Sequence, residues 1–144
     1  MDQTFSAYGL KFSYPADWEV EESREPGRFS VTVSSLATAF WTLYIDFDSP
    51  APEEMLEGAI NAYREEYEEL DLYESSVVVA AFPTLARDLD FVCHELLNVA
   101  RIRVFETEDF TAAVVYQLHD KELEENGPAL DAMTRSLQWD PESA

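Results

Sequence analysis

One cysteine, two histidines and four glycines are all this 144-residue chain contains, and each scarcity closes off a class of chemistry. Cys93 has no second cysteine to pair with, which fits a reducing compartment. Gly9, Gly27, Gly58 and Gly127 are scattered, so no glycine-rich loop can cradle a phosphate. Cys93, His94 and His119 show no short ligand spacing, so neither a zinc site nor any other cofactor is expected. Runs of about 18 apolar residues are absent, which leaves no membrane-spanning helix to be read. The opening Met1-Asp2-Gln3-Thr4 has no basic patch leading into an apolar stretch, so no signal peptide is read and a cytoplasmic location is expected.

Positive charge is scarce too. Nine Lys and Arg face 30 Asp and Glu, a formal net charge of −21. A field of that sign repels nucleic acid and anionic lipid, so neither is expected as a partner. Two readings of the acidity stay open: a well-solvated surface suited to high salt, and an electrostatic attraction for a basic protein.

Aromatic residues are plentiful. Nine Phe, seven Tyr and three Trp, in a chain 47% hydrophobic, supply a core for one ordinary domain. Residues 1–140 are read as that domain and 141–144 as a disordered tail. The centre is a meander of three strands, Arg87–Glu95, Val99–Glu106 and Phe110–His119, broken at Asn98 and at Thr107-Glu108-Asp109. Ahead of it, Leu10, Phe12 and Tyr14 alternate on one face until Pro15, which has no N–H to give, stops pairing. Trp18 heads a short strand to Val20 and is placed to drop its indole over the open end of the sheet. A charged loop is expected over Glu21–Gly27. Phe29–Ser35 and Phe40–Asp48 alternate like half-buried strands, the second with Trp41, Leu43, Ile45 and Phe47 inward and Thr42, Tyr44, Asp46 and Asp48 outward.

Ser49-Pro-Ala-Pro52-Glu-Glu announces a helix whose core stripe is Leu56, Ile60, Tyr63, Tyr67 and Leu70. Tyr73–Phe82 reads as one strand ended by Pro83. Asp120 is placed to cap a last helix, which Gly127-Pro128 should interrupt, leaving a second segment from about Pro128 to Ser136 with Leu130, Met133 and Leu137 buried. Strands in runs with short turns imply an α+β domain, a central antiparallel sheet flanked by helices.

Candidate chemistry is thin. Cys93 and His94 are strand neighbours and point to opposite faces, so they cannot act as a dyad. Cys93 joins Leu89 and Phe91 as a small core residue, and His94 shares its face with Asp88 and Asp90. Arg101 and Arg103 share a face with Phe105 and can pair Asp88 and Asp90 across the hairpin. In a concave pocket, the two arginines would instead mark an anion or carboxylate site. No catalytic residue is assigned. The candidate ligand-binding set is His94, Arg101, Arg103, Asp88 and Asp90, with Pro15, Trp18 and Trp41 structural. The pairs Asp46/Asp48 and Asp88/Asp90 are read as surface acids without a metal.

Tyr8-Gly-Leu-Lys-Phe-Ser-Tyr-Pro-Ala-Asp-Trp18 resembles the opening hairpin of PsbP-like domains, a superfamily that includes the Ran-binding Mog type and bacterial DcrB-like proteins. The match lies at Gly9, Leu10, Phe12, Tyr14, Pro15 and Trp18, and a terminal helix closing on Ser136-Leu137 also fits. The resemblance implies an α/β/α sandwich around an antiparallel sheet, and relatives that are mostly non-catalytic. A non-catalytic binding protein, acidic and chaperone-like, is the preferred reading. The alternative is a small enzyme or ligand-binding protein with a polar site around His94, Arg101 and Arg103. A third reading is a homodimer formed through an exposed strand edge.

Overall fold

A computed structural model describes residues 2–143. The chain runs β1 (Asp2–Ala7), β2 (Leu10–Pro15), β3 (Glu19–Glu25), β4 (Arg28–Ser34), β5 (Phe40–Asp46) and α1 (Pro52–Glu66). It continues through β6 (Leu70–Ser75), β7 (Val78–Val79), β8 (Phe82–Pro83), β9 (Leu85–Cys93), β10 (Leu96–Glu106) and β11 (Thr111–His119) to α2 (Leu123–Ser136) and β12 (Gln138–Trp139). Seven strands form the main sheet in the order β3-β4-β5-β11-β10-β9-β6, every neighbour antiparallel. A smaller sheet, β1-β2-β12, forms a second layer. The architecture is α+β, as the strand runs predict.

Alternation along the strands assigns two cores. On one face Phe29, Val31 and Val33 of β4, Trp41, Leu43 and Ile45 of β5, and Val114 and Tyr116 of β11 pack under β2 and α2. On the other, Leu89 and Phe91 of β9, Ala100, Ile102 and Val104 of β10, and Ala113 and Val115 of β11 pack under Leu56 and Ile60 of α1. Trp41 is fully buried, packs against Phe12 with ring centroids 4.5 Å apart and the planes tilted by 46°, and donates its indole N–H to Thr134 Oγ1 at 2.9 Å. Trp18 is half-buried against the same core rather than sealed inside it. Pro15 is the last residue of β2, opposite Asp2.

Several local expectations need correction. The break in the meander falls at His94-Glu95, whose φ values are 53° and 65°, and Asn98 lies inside β10 with its side chain donating to Leu96 O. Glu21–Glu25 belongs to β3 rather than to a loop, and only Pro26-Gly27 turns the chain. The Tyr73–Phe82 stretch is not one strand: β6 ends at Ser75, and a small hairpin turns at Ala80-Ala81, with φ 52° and 69°. Asp120 opens a 3-10 turn, and α2 then runs unbroken through Gly127-Pro128. Pro128 is the sixth residue of α2, past the first turn, so the helix continues without the bond that an N–H at 128 would donate to the Glu124 carbonyl. Pro141–Ser143 forms a 3-10 turn, and Ala144, the end of the expected tail, lies outside the described residues.

Candidate functional site

Strand alternation places Arg101 and Arg103 on one face of β10, between β9 and β11. Arg101 stands opposite Asp88 on one side and Tyr116 on the other. Asp88 Oδ1 lies 2.8 Å from Arg103 Nη1 and 3.6 Å from Arg101 Nε, so two guanidiniums share one carboxylate. Only 7% of the Arg103 side chain is exposed, and its Nη1 also donates to the carbonyls of Arg87 and Ile102. Burying a cation is tolerable only with such partners. Beside it, the Tyr116 hydroxyl donates to Asp131 Oδ1 at 2.9 Å. Burial and then the Asp131 charge push that phenol up to about 12, against the pull of the two arginines.

Asp90 lies on the same face two residues on, directly opposite Asp71 of β6. His94 does not join them. It sits exposed at the tip of the β9–β10 hairpin, six residues from Asp88, roughly 20 Å at the rise of an extended strand. Arg101, Arg103 and Asp88 are therefore a mutually satisfied cluster, and the imidazole that a proton-transfer site would use is elsewhere. Among the described residues no three His, Cys, Asp or Glu side chains are grouped to hold a metal ion.

The larger feature lies on the opposite face and was not singled out from the sequence. Because α1 covers β9, β10 and β11, the same face of β3, β4 and β5 is left open. The step between helix and bare sheet is a groove of about 590 Å³. Ser23, Ser30, Phe40 and Tyr44 contribute its floor, and Met55, Ala59, Ala62 and Tyr63 its helical wall. Tyr44 is 47% exposed there, an aromatic ring on a hydroxyl-rich surface. Ala59 and Ala62, three apart on α1, leave the room that larger side chains would fill. Tyr63 donates to Gln117 Oε1 at 2.8 Å, and burial raises its phenol well above the ordinary tyrosine range. The rim is acidic: Glu25 and Glu66 line it, while its cation, Arg28, is 3.7 Å from Asp46. The sequence signal was present in Tyr44, a large ring on the polar side of its strand. A second cleft, of about 580 Å³, lies between the β7–β8 hairpin and the end of α2, where Arg135 is the charged side chain.

No protein-family model matches the chain, and no curated protein matches it by sequence. Solved structures do. Cyanobacterial PsbP (CyanoP) of Synechocystis sp. PCC 6803 superposes with a TM-score of 0.60 at 12% identity, over 96% of this chain and 92% of that one. The fold is PsbP-like. LpqN of Mycobacterium tuberculosis, a protein involved in cell envelope biogenesis, shares this PsbP-like architecture with a TM-score of 0.53 at 12% identity, over 96% of this chain and 90% of its own. A Bacteroides thetaiotaomicron VPI-5482 protein gives a TM-score of 0.61 at 14% identity over 98% of this chain. Only 49% of the Bacteroides chain is spanned.

The residues that carry the opening-hairpin resemblance have structural reasons in this chain. Gly9 has φ 86°, and a Cβ there would come within 2.6 Å of the Trp139 ring, so the β1–β2 turn requires glycine. Leu10 and Phe12 are fully buried. Ser136 Oγ accepts from Ser13 N at 2.9 Å and donates to Met133 O, tying the end of α2 to β2.

Proposed function

We propose that this PsbP-like domain is a non-catalytic binding protein that seats part of a protein partner in the groove between α1 and the open face of β3–β5. The observation that carries the reading is the groove itself. It has an aromatic and aliphatic wall to bury apolar side chains, hydroxyls on the floor to receive backbone groups, and uncompensated carboxylates at the rim. Such a mixture of apolar surface with a few placed polar groups is what ligand sites offer. The Arg101–Arg103–Asp88 cluster supports the non-catalytic side of the reading, because its donors are already spent on Asp88 and on backbone carbonyls. Cys93, unpaired and half-buried, is consistent with a cytoplasmic, reducing setting.

Chemical-shift mapping tests this. A capped hexapeptide of alternating Val and Lys, titrated into the isotope-labelled chain, should shift the amides of Ser30, Tyr44 and Ala59. The Ala59→Trp variant, which fills the groove, should abolish those shifts while Arg101→Ala preserves them. Shifts clustered around Arg101 and Arg103, or none at all, would defeat the proposal.

A further inference from the structure

Beside the groove, and independent of what fills it, we propose a second contact: an extended basic segment of another protein that adds to the free edge of β3 as a further strand. The geometry is that of an unfinished sheet. β3 ends the seven-strand order, and among the described residues no other segment pairs with its outer edge. All seven residues from Glu19 to Glu25 are exposed, and their register with β4 runs from one end to the other without a bulge. The strand carries no proline. An edge this long and regular is normally blunted, and here only charge does so.

That charge is selective. Glu19, Glu21 and Glu25 point to the groove face of the sheet, alternating with Val20, Glu22 and Arg24 on the other. Among the described residues no ion pair is made to any of the three groove-face glutamates. The one cation on the strand is occupied: Arg24 is hydrogen-bonded to Tyr8 Oη, lies 3.2 Å from Glu22, and stacks over the Phe29 ring at 5.0 Å. A second copy of the chain is a poor fit for this edge. Antiparallel self-pairing about Glu22 would set Glu22 against its own copy and Glu19 against Glu25 at both ends, and like charges directly opposite oppose pairing. Acidic strands are refused for the same reason. A strand with Lys or Arg at alternate positions meets the glutamates directly, while its main chain takes up the free N–H and C=O groups.

The test uses the same Val-Lys hexapeptide with two companions: an analogue N-methylated at alternate residues, and a Val-Glu hexapeptide. The unmodified basic peptide should slow amide exchange along Glu19–Glu25, and its affinity should fall at least tenfold for the Glu19→Gln/Glu21→Gln/Glu25→Gln variant. The N-methylated analogue, which keeps its charges but cannot complete a ladder, should bind at least tenfold more weakly. Equal binding of that analogue, with shifts confined to Tyr44 and Ala59, would overturn strand addition and leave the groove reading standing. Equal binding of the Val-Glu peptide would overturn the charge selection. Failure of all three peptides to shift either β3 or the groove would overturn both.

Discussion

At the scale of single residues, the core turns on how one indole N–H is satisfied. Trp41 is fully buried and its donor reaches Thr134 Oγ1, which in turn donates to Leu130 O at 3.0 Å. One hydroxyl therefore joins β5 to α2. Thr134→Val keeps the shape of the side chain and removes the acceptor, leaving a buried donor without a partner. A loss of about 1–3 kcal/mol in urea unfolding is expected. Thr134→Ser retains the oxygen and should recover much of it. In a cycle with Trp41→Phe, which removes the donor, the double variant should lose less than the sum of the two single losses, because either change alone breaks the same bond. Strict additivity would mean that packing, not the hydrogen bond, holds this contact.

At the scale of elements, the turns are where local sequence and structure part company. Two hairpins close through adjacent non-glycine residues with positive φ, Ala80-Ala81 and His94-Glu95. The left-handed region costs a residue bearing Cβ about 1–2 kcal/mol, and asparagine or glycine is the ordinary choice there. Glu95→Gly should thus raise stability by about 0.5–1 kcal/mol after allowing for the looser unfolded chain. Ala81→Gly should move the melting temperature in the same direction. A lowered melting temperature for both would show that the turns are not strained. The same chemistry explains the misplaced boundaries. Val-Ala-Ala-Phe and Cys-His-Glu-Leu contain no turn residue, so Tyr73–Phe82 reads as one strand and the meander appears to break at Asn98. Where glycine does mark the turn, as at Pro26-Gly27, the turn is legible even though the strand before it is not. β3 was hidden for a different reason. An edge strand exposed on both faces has no apolar alternation to reveal it, so Glu-Val-Glu-Glu-Ser-Arg-Glu reads as a charged loop. The pairing of Arg101 and Arg103 with Asp88 was readable, because period two and a short hairpin are enough to bring them together. The groove was not, because it depends on which strands α1 covers, and no local period encodes that.

At the scale of the whole molecule, a charge of −21 acts on stability and on recognition with opposite signs, and salt separates the two. The ion pairs among the described residues draw in Arg24, Arg28, Arg87, Arg101 and Arg103, yet they engage the carboxylates of Glu22, Asp46, Glu74 and Asp88 alone. The remaining acids repel one another in the compact state more than in the expanded one. Raising ionic strength from about 0.01 M to about 1 M shortens the screening length from about 30 Å to about 3 Å. That removes most of the repulsion, so the melting temperature should rise by several degrees, which calorimetry in sodium chloride measures directly. Attraction between the β3 glutamates and a lysine-bearing strand is screened by the same ions, so affinity for the Val-Lys hexapeptide should fall across the same series. A basic partner read by charge requires these two slopes to oppose each other. If the chain gains stability with salt while peptide affinity holds constant, the acidity serves solvation alone, and whatever occupies the groove is chosen by its shape and apolar surface.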